Sequence, residues 1–251
     1  MKYIEHPPDS ILKEIIQNYW KFEVLDFPDL KFPLNHETLP ESTVSLVLIN
    51  QPYFNGVRLM GPHNIKYTQS IFPNSIFLGV RFHPWIIIKS LINNKANILN
   101  KTIDTSTSVQ NHFKDISIKV GFDNFKLIDK QLIKILNTVE IEKNNLVKFI
   151  CLELSLGKPI SEVIIQIPIS TRVIQKKFKE VTGVTMKQYS KIERQRNTWK
   201  SIILERKNQM DAILDNGYYD QSHFINEFKK IMNRSHNDFQ SYLLSVEMAF
   251  H

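Results

Sequence analysis

The sequence contains one cysteine and no long apolar run, and each absence excludes a class of protein. Cys151 has no second cysteine to pair with, so an internal disulfide framework is excluded. The longest apolar runs, such as residues 44–50, are far shorter than the roughly 20 residues that a membrane span requires. The first residues, MKYIEHPPDS, lack the apolar core of a signal peptide. These absences predict a cytoplasmic protein without a membrane-spanning segment.

The sequence also lacks the short motifs that carry common enzyme chemistries. It has no GxSxG nucleophile elbow, no GxxxxGK[ST] phosphate-binding loop and no HExxH zinc motif. His223 invites a catalytic or metal-binding interpretation, because acids lie nearby at Asp220 and Glu227. However, no second histidine or cysteine stands at a metal-ligand spacing from it. The protein is therefore predicted not to be an enzyme, and to bind neither a cofactor nor a metal.

Charge is distributed very unevenly along the chain. The formal net charge is +7, with 32 Lys and Arg against 25 Asp and Glu. Residues 170–207 contain eleven Lys and Arg and three Glu, which gives +8 for this window and −1 for the remainder. A basic stripe of this kind is typical of a protein that binds nucleic acid, and a solvated lysine-rich surface is the ordinary alternative.

The N-terminal half has the pattern of a small β domain. Hydrophobic residues make up 42% of the chain, which is enough to build sizeable cores. Residues 42–50, 57–60 and 75–82 form short strand-like apolar runs, and most of the eleven prolines lie in the first hundred residues. This pattern predicts a mostly-β, barrel-like domain with additional helices over residues 1–138.

After residue 138 the sequence is organised as a series of short helices. Apolar residues recur at spacings of three and four, and Gly157, Gly183 and Gly217 stand at helix ends. Ser170 and Thr185 are suited to cap the starts of two helices. We expect an all-α domain of seven helices over residues 139–251, at residues 146–156, 160–167, 170–183, 186–205, 210–216, 220–232 and 235–248. The whole chain is thus predicted to have an α+β fold.

The helical half contains an internal repeat with an offset of 50 residues. Matching positions carry similar side chains, with Ile174, Phe178 and Lys179 of the first copy aligned with Phe224, Phe228 and Lys229 of the second. Each copy has the pattern of a short helix, a turn and a second helix. This is the form of a helix–turn–helix unit, whose second helix lies in the major groove of DNA.

Three segments of the helical half resemble the DNA-binding domain of the AraC/XylS family of bacterial transcriptional regulators: ISTRVIQKKFKEVTG (169–183), YSKIERQR (189–196) and GYYDQSHFINEFKK (217–230). Two shorter segments, NYWKFE (18–23) and LGVRFHPW (78–85), resemble the sensor-like domain of one branch of this family. The resemblance implies a transcription factor that binds specific double-stranded DNA. Its N-terminal domain is expected to sense a small-molecule effector or to mediate assembly, and RNA polymerase is a further implied partner.

The sequence departs from the family pattern at several positions. Ile164 and Ile213 stand where the first helix of each unit usually has alanine, and Asn233 replaces a glycine. Arginine is common where this chain has Lys176 and Asn226. These departures leave open an alternative function, in which a degraded DNA-binding domain is the scaffold of a ligand-binding or protein-interaction module.

DNA contacts are expected from the exposed residues of the second helix in each unit. In the first unit these residues are Ser170, Thr171, Arg172, Gln175, Lys176 and Lys179. In the second unit they are Gln221, Ser222, His223, Ile225 and Asn226. The resemblance places Ser222 and His223 near the DNA backbone.

The chemistry of these side chains suits contacts with base edges. Arg172 and Lys176 can reach guanine N7 and O6, and Gln175 can pair with adenine. In the second unit Asn226 suits adenine, and Ile225 can touch the methyl group of thymine.

Two further hypotheses concern the first 140 residues. A ligand pocket in the β domain would be lined by aromatic residues, for which the candidates are Trp20, Phe22, Phe54, Tyr67 and Phe82. A helical apolar face is formed by Phe125, Ile128, Leu132, Ile135 and Val139. This face either pairs two chains in a homodimer, as a short heptad seam, or packs onto its own domain.

Overall fold

The computed structural model describes residues 1–25, 33–105 and 124–244, and the backbone of residues 247–250. The described part of the first half forms strands β1 (Lys2–His6), β2 (Ile16–Val24), β3 (Leu34–Thr38), β4 (Val44–Gln51), β5 (Phe54–Met60), β6 (Tyr67–Ile71), β7 (Ser75–Phe82), β8 (Ile86–Ile88) and β9 (Thr102–Asp104). A 3₁₀ helix spans Lys95–Ile98. The second half adds β10 (Ile141–Lys143) and β11 (Glu247–Phe250).

The main sheet has seven described strands in the order β11–β1–β2–β7–β4–β5–β9, and its two faces are both apolar. Alternation along the strands separates these faces. Phe22, Phe77 and Ile49 lie side by side on one face. Tyr19 and Val80 are paired on the opposite face. The sheet therefore supports a core on each side.

A second, smaller layer covers the face that carries Phe22. β3 and β6 pair in antiparallel orientation, and their Leu34 and Ile71 pack in one cluster with Phe22, Ile49 and Phe77. The β3–β6 pair therefore packs on the main sheet across this cluster.

The helices in the described part of the chain are α1 (Phe125–Leu136), α2 (Asn145–Ser155), α3 (Ile160–Ile164), α4 (Thr171–Thr182), α5 (Met186–Ile203), α6 (Gln209–Asp215), α7 (Gln221–Met232) and α8 (His236–Leu244). Helices α2 to α8 correspond to the seven that the sequence predicts. Thr185 and Gln188 form a capping box that starts α5. Gly183, with φ of +84°, ends α4. The predicted α+β fold is confirmed.

The apolar face of α1 is covered within the same chain. Ile128 and Leu132 are fully buried, and the Phe125 ring stacks on His6 and Tyr19. The Tyr19 hydroxyl also donates to Asp129 of this helix at 2.6 Å. Of the two alternatives that the sequence leaves open for the face of Phe125, Ile128, Leu132 and Ile135, the structure shows packing onto the chain's own domain, and a homodimer seam on this face is not observed. Helical periodicity identifies a buried face but does not identify its partner.

Two hydrophobic clusters divide the helical half. The larger cluster is continuous from the sheet through α1 and α2 to α3 and α4, and it contains Ile174 and Phe178. A smaller cluster surrounds Trp199 and contains Phe224, Phe228 and Phe239. The first predicted helix–turn–helix unit thus shares its core with the N-terminal half, whereas the second has a core of its own.

The end of the chain differs from the predicted helix over residues 235–248. α8 ends at Leu244, and β11 pairs in parallel with β1, so that Glu247 lies beside Lys2. Strand edges offer backbone hydrogen-bonding groups to an added strand. Pairing with this distant edge overrides the helical pattern, and it joins the C-terminal end to the first half.

Candidate nucleic-acid interface and ligand cavity

The first predicted helix–turn–helix unit corresponds to α3 and α4. One face of α4 is buried through Ile174, Phe178 and Val181, each fully inaccessible to solvent. All the positions predicted to contact DNA from this unit are exposed, namely Ser170, Thr171, Arg172, Gln175, Lys176 and Lys179. The structure therefore brings these six side chains together at the N-terminal part and the outer face of one helix.

The second unit consists of α6 and α7 and repeats this division. Phe224, Phe228 and Met232 are buried. Of the positions predicted to contact DNA, four are exposed, namely Gln221, Ser222, His223 and Asn226. Ile225 is half-buried and packs against the Trp199 cluster, so only part of its side chain is accessible.

His223 lies in the first turn of α7, where local contacts hold it. Its backbone N–H donates to the Asp220 carboxylate at 2.7 Å, which caps the helix. Its ring packs edge-on against Tyr218, with the ring centroids 5.2 Å apart. Within the described residues, no group of three His, Cys, Asp or Glu side chains is arranged to hold a metal ion.

Glu227 ties α7 to α5, a role that sequence reasoning missed. Arg194 donates to both Glu227 carboxylate oxygens at 2.9 and 3.0 Å, and Tyr218 donates to one of them at 3.0 Å. Lys191 lies 3.1 Å from the same carboxylate. Burial acts to raise the pKa of Glu227, but the bonds and charge of Arg194 outweigh it, so the pKa is lowered and the carboxylate stays charged. The sequence does contain a signal for this role: Glu227 is an acid directly beside the core residue Phe228, and the basic segment 170–207 offers partners for it.

The departures from the family pattern are accommodated by the packing. Ile213 and its neighbour Ala212 are both fully buried in the Trp199 cluster, and Ile164 is half-buried against the larger core. Asn233 adopts a left-handed conformation with φ of +48° and ends α7, as Gly183 ends α4. Asparagine is among the residues that tolerate this conformation.

A cavity of about 220 Å³ lies between the main sheet, the β3–β6 layer and helices α5 and α8. Trp20, Phe22 and Tyr67 line it, as the sequence suggests. Phe54 and Phe82 are not among its lining residues. Phe82 is buried on the opposite face of the sheet, because alternation along β7 places it with Val80. Phe54 lies at the start of β5, where the Arg58 guanidinium covers its ring at 4.2 Å.

Residues from the helical half complete the cavity. Arg196 of α5 and Phe239 and Leu243 of α8 contribute to its lining. Sequence reasoning missed these three residues, since they lie more than 150 positions away from Trp20. The cavity therefore contacts both halves of the chain, including helix α5, which lies between the two predicted helix–turn–helix units.

One wall of the cavity is a network of ion pairs that joins the sheet to α5. Arg81 of β7 contacts Glu5 at 2.8 Å and Glu41 at 2.9 Å. Arg196 also contacts Glu41 at 2.9 Å. Burial acts to raise the pKa of Glu5, but the Arg81 charge outweighs it and lowers that pKa, so Glu5 is ionised. A carboxylate between two arginines thus connects the N-terminal half to the joining helix.

The family described as Domain of unknown function (DUF6597) matches residues 4–104. The sequence has no match among curated proteins. None of the described helices is long and apolar enough to cross a lipid bilayer.

Solved structures of ToxT from Vibrio cholerae are similar along nearly the whole chain. An apo ToxT variant from strain SCE256 is 14% identical, with 88% of this chain and 96% of ToxT covered and a TM-score of 0.50. ToxT in a P21 crystal form is 10% identical, with 95% and 98% covered and a TM-score of 0.50. Wild-type ToxT bound to an unsaturated fatty acid is 15% identical, with 87% and 92% covered and a TM-score of 0.48. The chain therefore has the two-part fold of ToxT, and at the level of the fold the resemblance to AraC/XylS regulators is confirmed.

Proposed function

We propose that this protein is a transcriptional regulator that binds specific DNA through two helix–turn–helix units and senses a small molecule in the cavity. In this proposal residues 1–138 form the sensing part and residues 139–251 the DNA-binding part. The observation that carries it is the repetition of one arrangement: two units of the same form are joined by α5, and each exposes the start of its second helix.

The length of α5 supports simultaneous binding of both units. Its 18 residues span about 27 Å at 1.5 Å per residue. Adjacent major grooves on one side of B-DNA are separated by roughly 34 Å, and the width of the two units adds to the span of the helix. The ion pairs of Glu227 with Arg194 and Lys191 hold α7 against this helix. One chain can therefore place α4 and α7 in successive major grooves and bind an asymmetric site.

The side chains on α4 and α7 suit contacts with different bases, and those on α4 also suit contacts with phosphates. Arg172 and Lys176 can donate to guanine, and Gln175 can form a paired contact with adenine. Asn226 suits adenine, and the exposed part of Ile225 suits a thymine methyl group. The first unit also offers three cations to phosphates, through Arg172, Lys176 and Lys179. We expect the first unit to supply more of the affinity.

A signal can pass from the cavity to the DNA-binding part through two contacts. Arg196 of α5 lines the cavity and binds Glu41, which in turn binds Arg81 of the sheet. Phe239 of α8 lines the cavity and also belongs to the core of the second unit. A bound molecule that shifts these side chains changes the position of the second unit relative to the first. RNA polymerase is a further expected partner of such a regulator.

The test is a selection of DNA from a random pool by the full chain, followed by titration of the selected and scrambled sequences at several salt concentrations. We expect one preferred asymmetric site, bound at least about 10³-fold more tightly than scrambled DNA. Equal affinity for both DNAs, or no binding to either, overturns the DNA-binding proposal. Those outcomes favour the alternative of a ligand-binding or protein-interaction module.

A further inference from the structure

The connection between β5 and β6, residues 61–66, contacts the ends of both α4 and α7. Gly183 ends α4, and a Cβ added to it would lie only 2.5 Å from the Pro62 ring, so the two residues are in direct contact. The Lys66 backbone N–H donates to the Ile231 carbonyl oxygen, in the last turn of α7, at 3.3 Å. One short segment of the N-terminal half therefore meets the C-terminal ends of the two helices that carry the predicted DNA contacts.

An ion-pair cluster strengthens the contact with α7. Glu37 of β3 binds Lys66, and it also contacts Arg234, which directly follows the end of α7, at 3.0 Å. Burial acts to raise the pKa of Glu37, but the bonds and charges of Lys66 and Arg234 outweigh it and lower that pKa. Glu37 is therefore ionised, and it holds the 61–66 segment and the end of α7 together.

The 61–66 segment is itself fixed to the N-terminal half. A Cβ added to Gly61 would lie 2.0 Å from the Ile98 carbonyl oxygen, so this backbone packs directly on the 3₁₀ helix. The Asn100 backbone N–H donates to the Pro62 carbonyl oxygen at 2.8 Å. Asn64 and Asn100 exchange two further hydrogen bonds, at 2.9 and 2.8 Å. A connection tied down in this way can hold the ends of α4 and α7 in place, because local opening must first break these contacts.

Helix α5 links the two units covalently, but the two apolar cores meet it at different places. The last buried residue of α5 in the larger cluster is Ile192, and the first in the smaller cluster is Trp199. These positions are separated by about 10 Å of helix at 1.5 Å per residue. Bending or twisting of this interval would change the position of one unit relative to the other.

The N-terminal half also binds α5 within this interval. Glu41 contacts Arg196 at 2.9 Å, and the Ser42 hydroxyl donates to Glu193 at 2.7 Å. Glu41 exchanges two backbone hydrogen bonds with His63, at 3.0 and 2.7 Å, which connects these contacts to the 61–66 segment. The N-terminal half thus contacts the end of α4, the middle of α5 and the end of α7.

We propose that residues 61–66, together with Glu37 and Glu41, fix the relative position of α4 and α7 and thereby determine which spacing between two DNA half-sites the protein accepts. A second link between the units, parallel to α5, makes a closed frame that resists twisting. One added base pair moves a half-site by about 3.4 Å and rotates it by roughly 34° about the DNA axis. A closed frame does not follow such a change. This assignment rests on the proposed DNA-binding function and names the positioning residues behind its specificity.

The first experiment measures the frame without DNA. Spin labels are attached to the full chain through Lys176→Cys and Asn226→Cys, which are equivalent exposed positions of α4 and α7. Cys151 is fully buried, so the label does not reach it. Double electron–electron resonance then gives the distribution of distances between the labels. We expect one narrow distribution in this parent, and a broader or shifted one when either Glu37→Gln or Lys66→Met is added.

The matched control is Glu14→Gln. Glu14 contacts Lys148 at 2.8 Å, and this ion pair joins the N-terminal half to α2 rather than to α4 or α7. The control should keep the narrow distribution of the parent. If folded Glu37→Gln and Lys66→Met variants also keep it, the proposal is overturned.

The second experiment measures the spacing preference. The selected DNA site is resynthesised with one base pair added or removed between its half-sites, and the unlabelled chain is titrated with each site. We expect the wild type and Glu14→Gln to bind the selected spacing at least about tenfold more tightly than either altered site. In Glu37→Gln this preference should fall to about threefold or less, because a loosened frame can follow the displaced half-site.

The spacing preference distinguishes positioning from a loss of stability. A less stable protein binds every spacing more weakly by the same factor, so the ratio between spacings stays constant. An unchanged ratio in Glu37→Gln therefore overturns the positioning role, even if the affinity falls.

The outcomes also separate this proposal from the proposed function. Specific DNA binding with unchanged distances and an unchanged spacing preference in the variants overturns the positioning role alone. Absence of specific DNA binding by the wild type overturns both.

Discussion

The two predicted helix–turn–helix units have the same elements at an offset of 50 residues, but they are supported differently. In the first unit, Gly183 at the end of α4 packs against Pro62 and Lys95 of the N-terminal half. In the second, the equivalent Asn233 ends α7, whose core is the separate aromatic cluster around Trp199. The first unit thus shares its apolar core with the N-terminal half, whereas the second has its own aromatic core and meets that half through contacts such as the Arg234–Glu37 ion pair at 3.0 Å. In the proposed regulator, the second unit is therefore the one that we expect a ligand in the cavity to move.

The units also differ in the charge that they offer to DNA. The exposed positions predicted to contact DNA include three cations in the first unit, Arg172, Lys176 and Lys179, whereas those of the second unit carry no lysine or arginine. Phosphate binding depends on such cations, and base recognition does not require them. In the proposed complex with DNA, we therefore expect the first unit to supply most of the electrostatic attraction. We expect the second unit to contribute mainly sequence preference.

The largest expected effect comes from deleting equivalent core rings, Phe178 and Phe228, which are both fully buried. Phe178→Ala and Phe228→Ala should each lower the free energy of unfolding by about 3–5 kcal/mol. The effect of Phe178→Ala should reach β4, because that core is continuous with the sheet. The effect of Phe228→Ala should stay within residues 199–244.

Hydrogen exchange measured by mass spectrometry, peptide by peptide, distinguishes these responses. The peptide covering β4 should lose protection in Phe178→Ala and keep it in Phe228→Ala. Equal loss in the two variants would show that the second unit is as strongly coupled to the sheet as the first.

A smaller effect tests the contact at Gly183. Gly183→Ala should lower the free energy of unfolding in two ways. Alanine is strained at the left-handed φ of +84°, which costs about 1 kcal/mol. Its Cβ would also lie only 2.5 Å from Pro62, which costs about 1–3 kcal/mol. Gly157→Ala is the matched control, because its φ is +81° and its Cβ would meet nothing within 4 Å. Urea denaturation should show Gly183→Ala to be the more destabilising. If the two variants lose the same free energy, the first unit is not anchored at this point.

Local patterns were sufficient to predict much of the fold. The spacing of Ile174 and Phe178 identifies the buried face of α4, and Gly183 identifies its end, because helix periodicity and capping depend on neighbouring residues. The same reasoning predicts the exposed positions on α7, apart from Ile225, which is half-buried. The position and the buried face of the second helix in each unit can therefore be predicted from the sequence alone.

Features that depend on distant partners could not be predicted in this way. The face of Ile128 and Leu132 was recognised as apolar, but its partner is the chain's own sheet. The cavity is lined by Trp20, Arg196 and Phe239, which are far apart in the sequence, so no local sequence pattern indicates that they meet. Glu227 was treated as a neighbour of His223, whereas its partners lie on α5. In each case the local sequence does not indicate which distant surfaces of the chain contact each other.

The comparison of the two units extends to base recognition. Arg172→Ala should cost more DNA-binding free energy than Asn226→Ala, with about 1–3 kcal/mol lost if Arg172 contacts a guanine. Both residues are exposed, so neither change should alter stability. Titration of the selected site and of single-base variants measures the cost and the position affected. If Asn226→Ala abolishes specific binding and Arg172→Ala leaves it intact, the second unit dominates recognition.

The smallest expected effect concerns phosphate contacts on α5. Lys187 lies in the first turn of this helix and is exposed, whereas Lys191 one turn later is paired with Glu227. Lys187→Gln should weaken binding to all DNA sequences alike and lower the slope of log affinity against log salt by about one unit. Lys130→Gln, an exposed change on α1, should leave the slope unchanged. The measurement is affinity at several salt concentrations for selected and scrambled DNA. If Lys187→Gln and Lys130→Gln lower the slope of log affinity against log salt equally, Lys187 makes no specific phosphate contact. The salt dependence would then reflect the net charge of the protein.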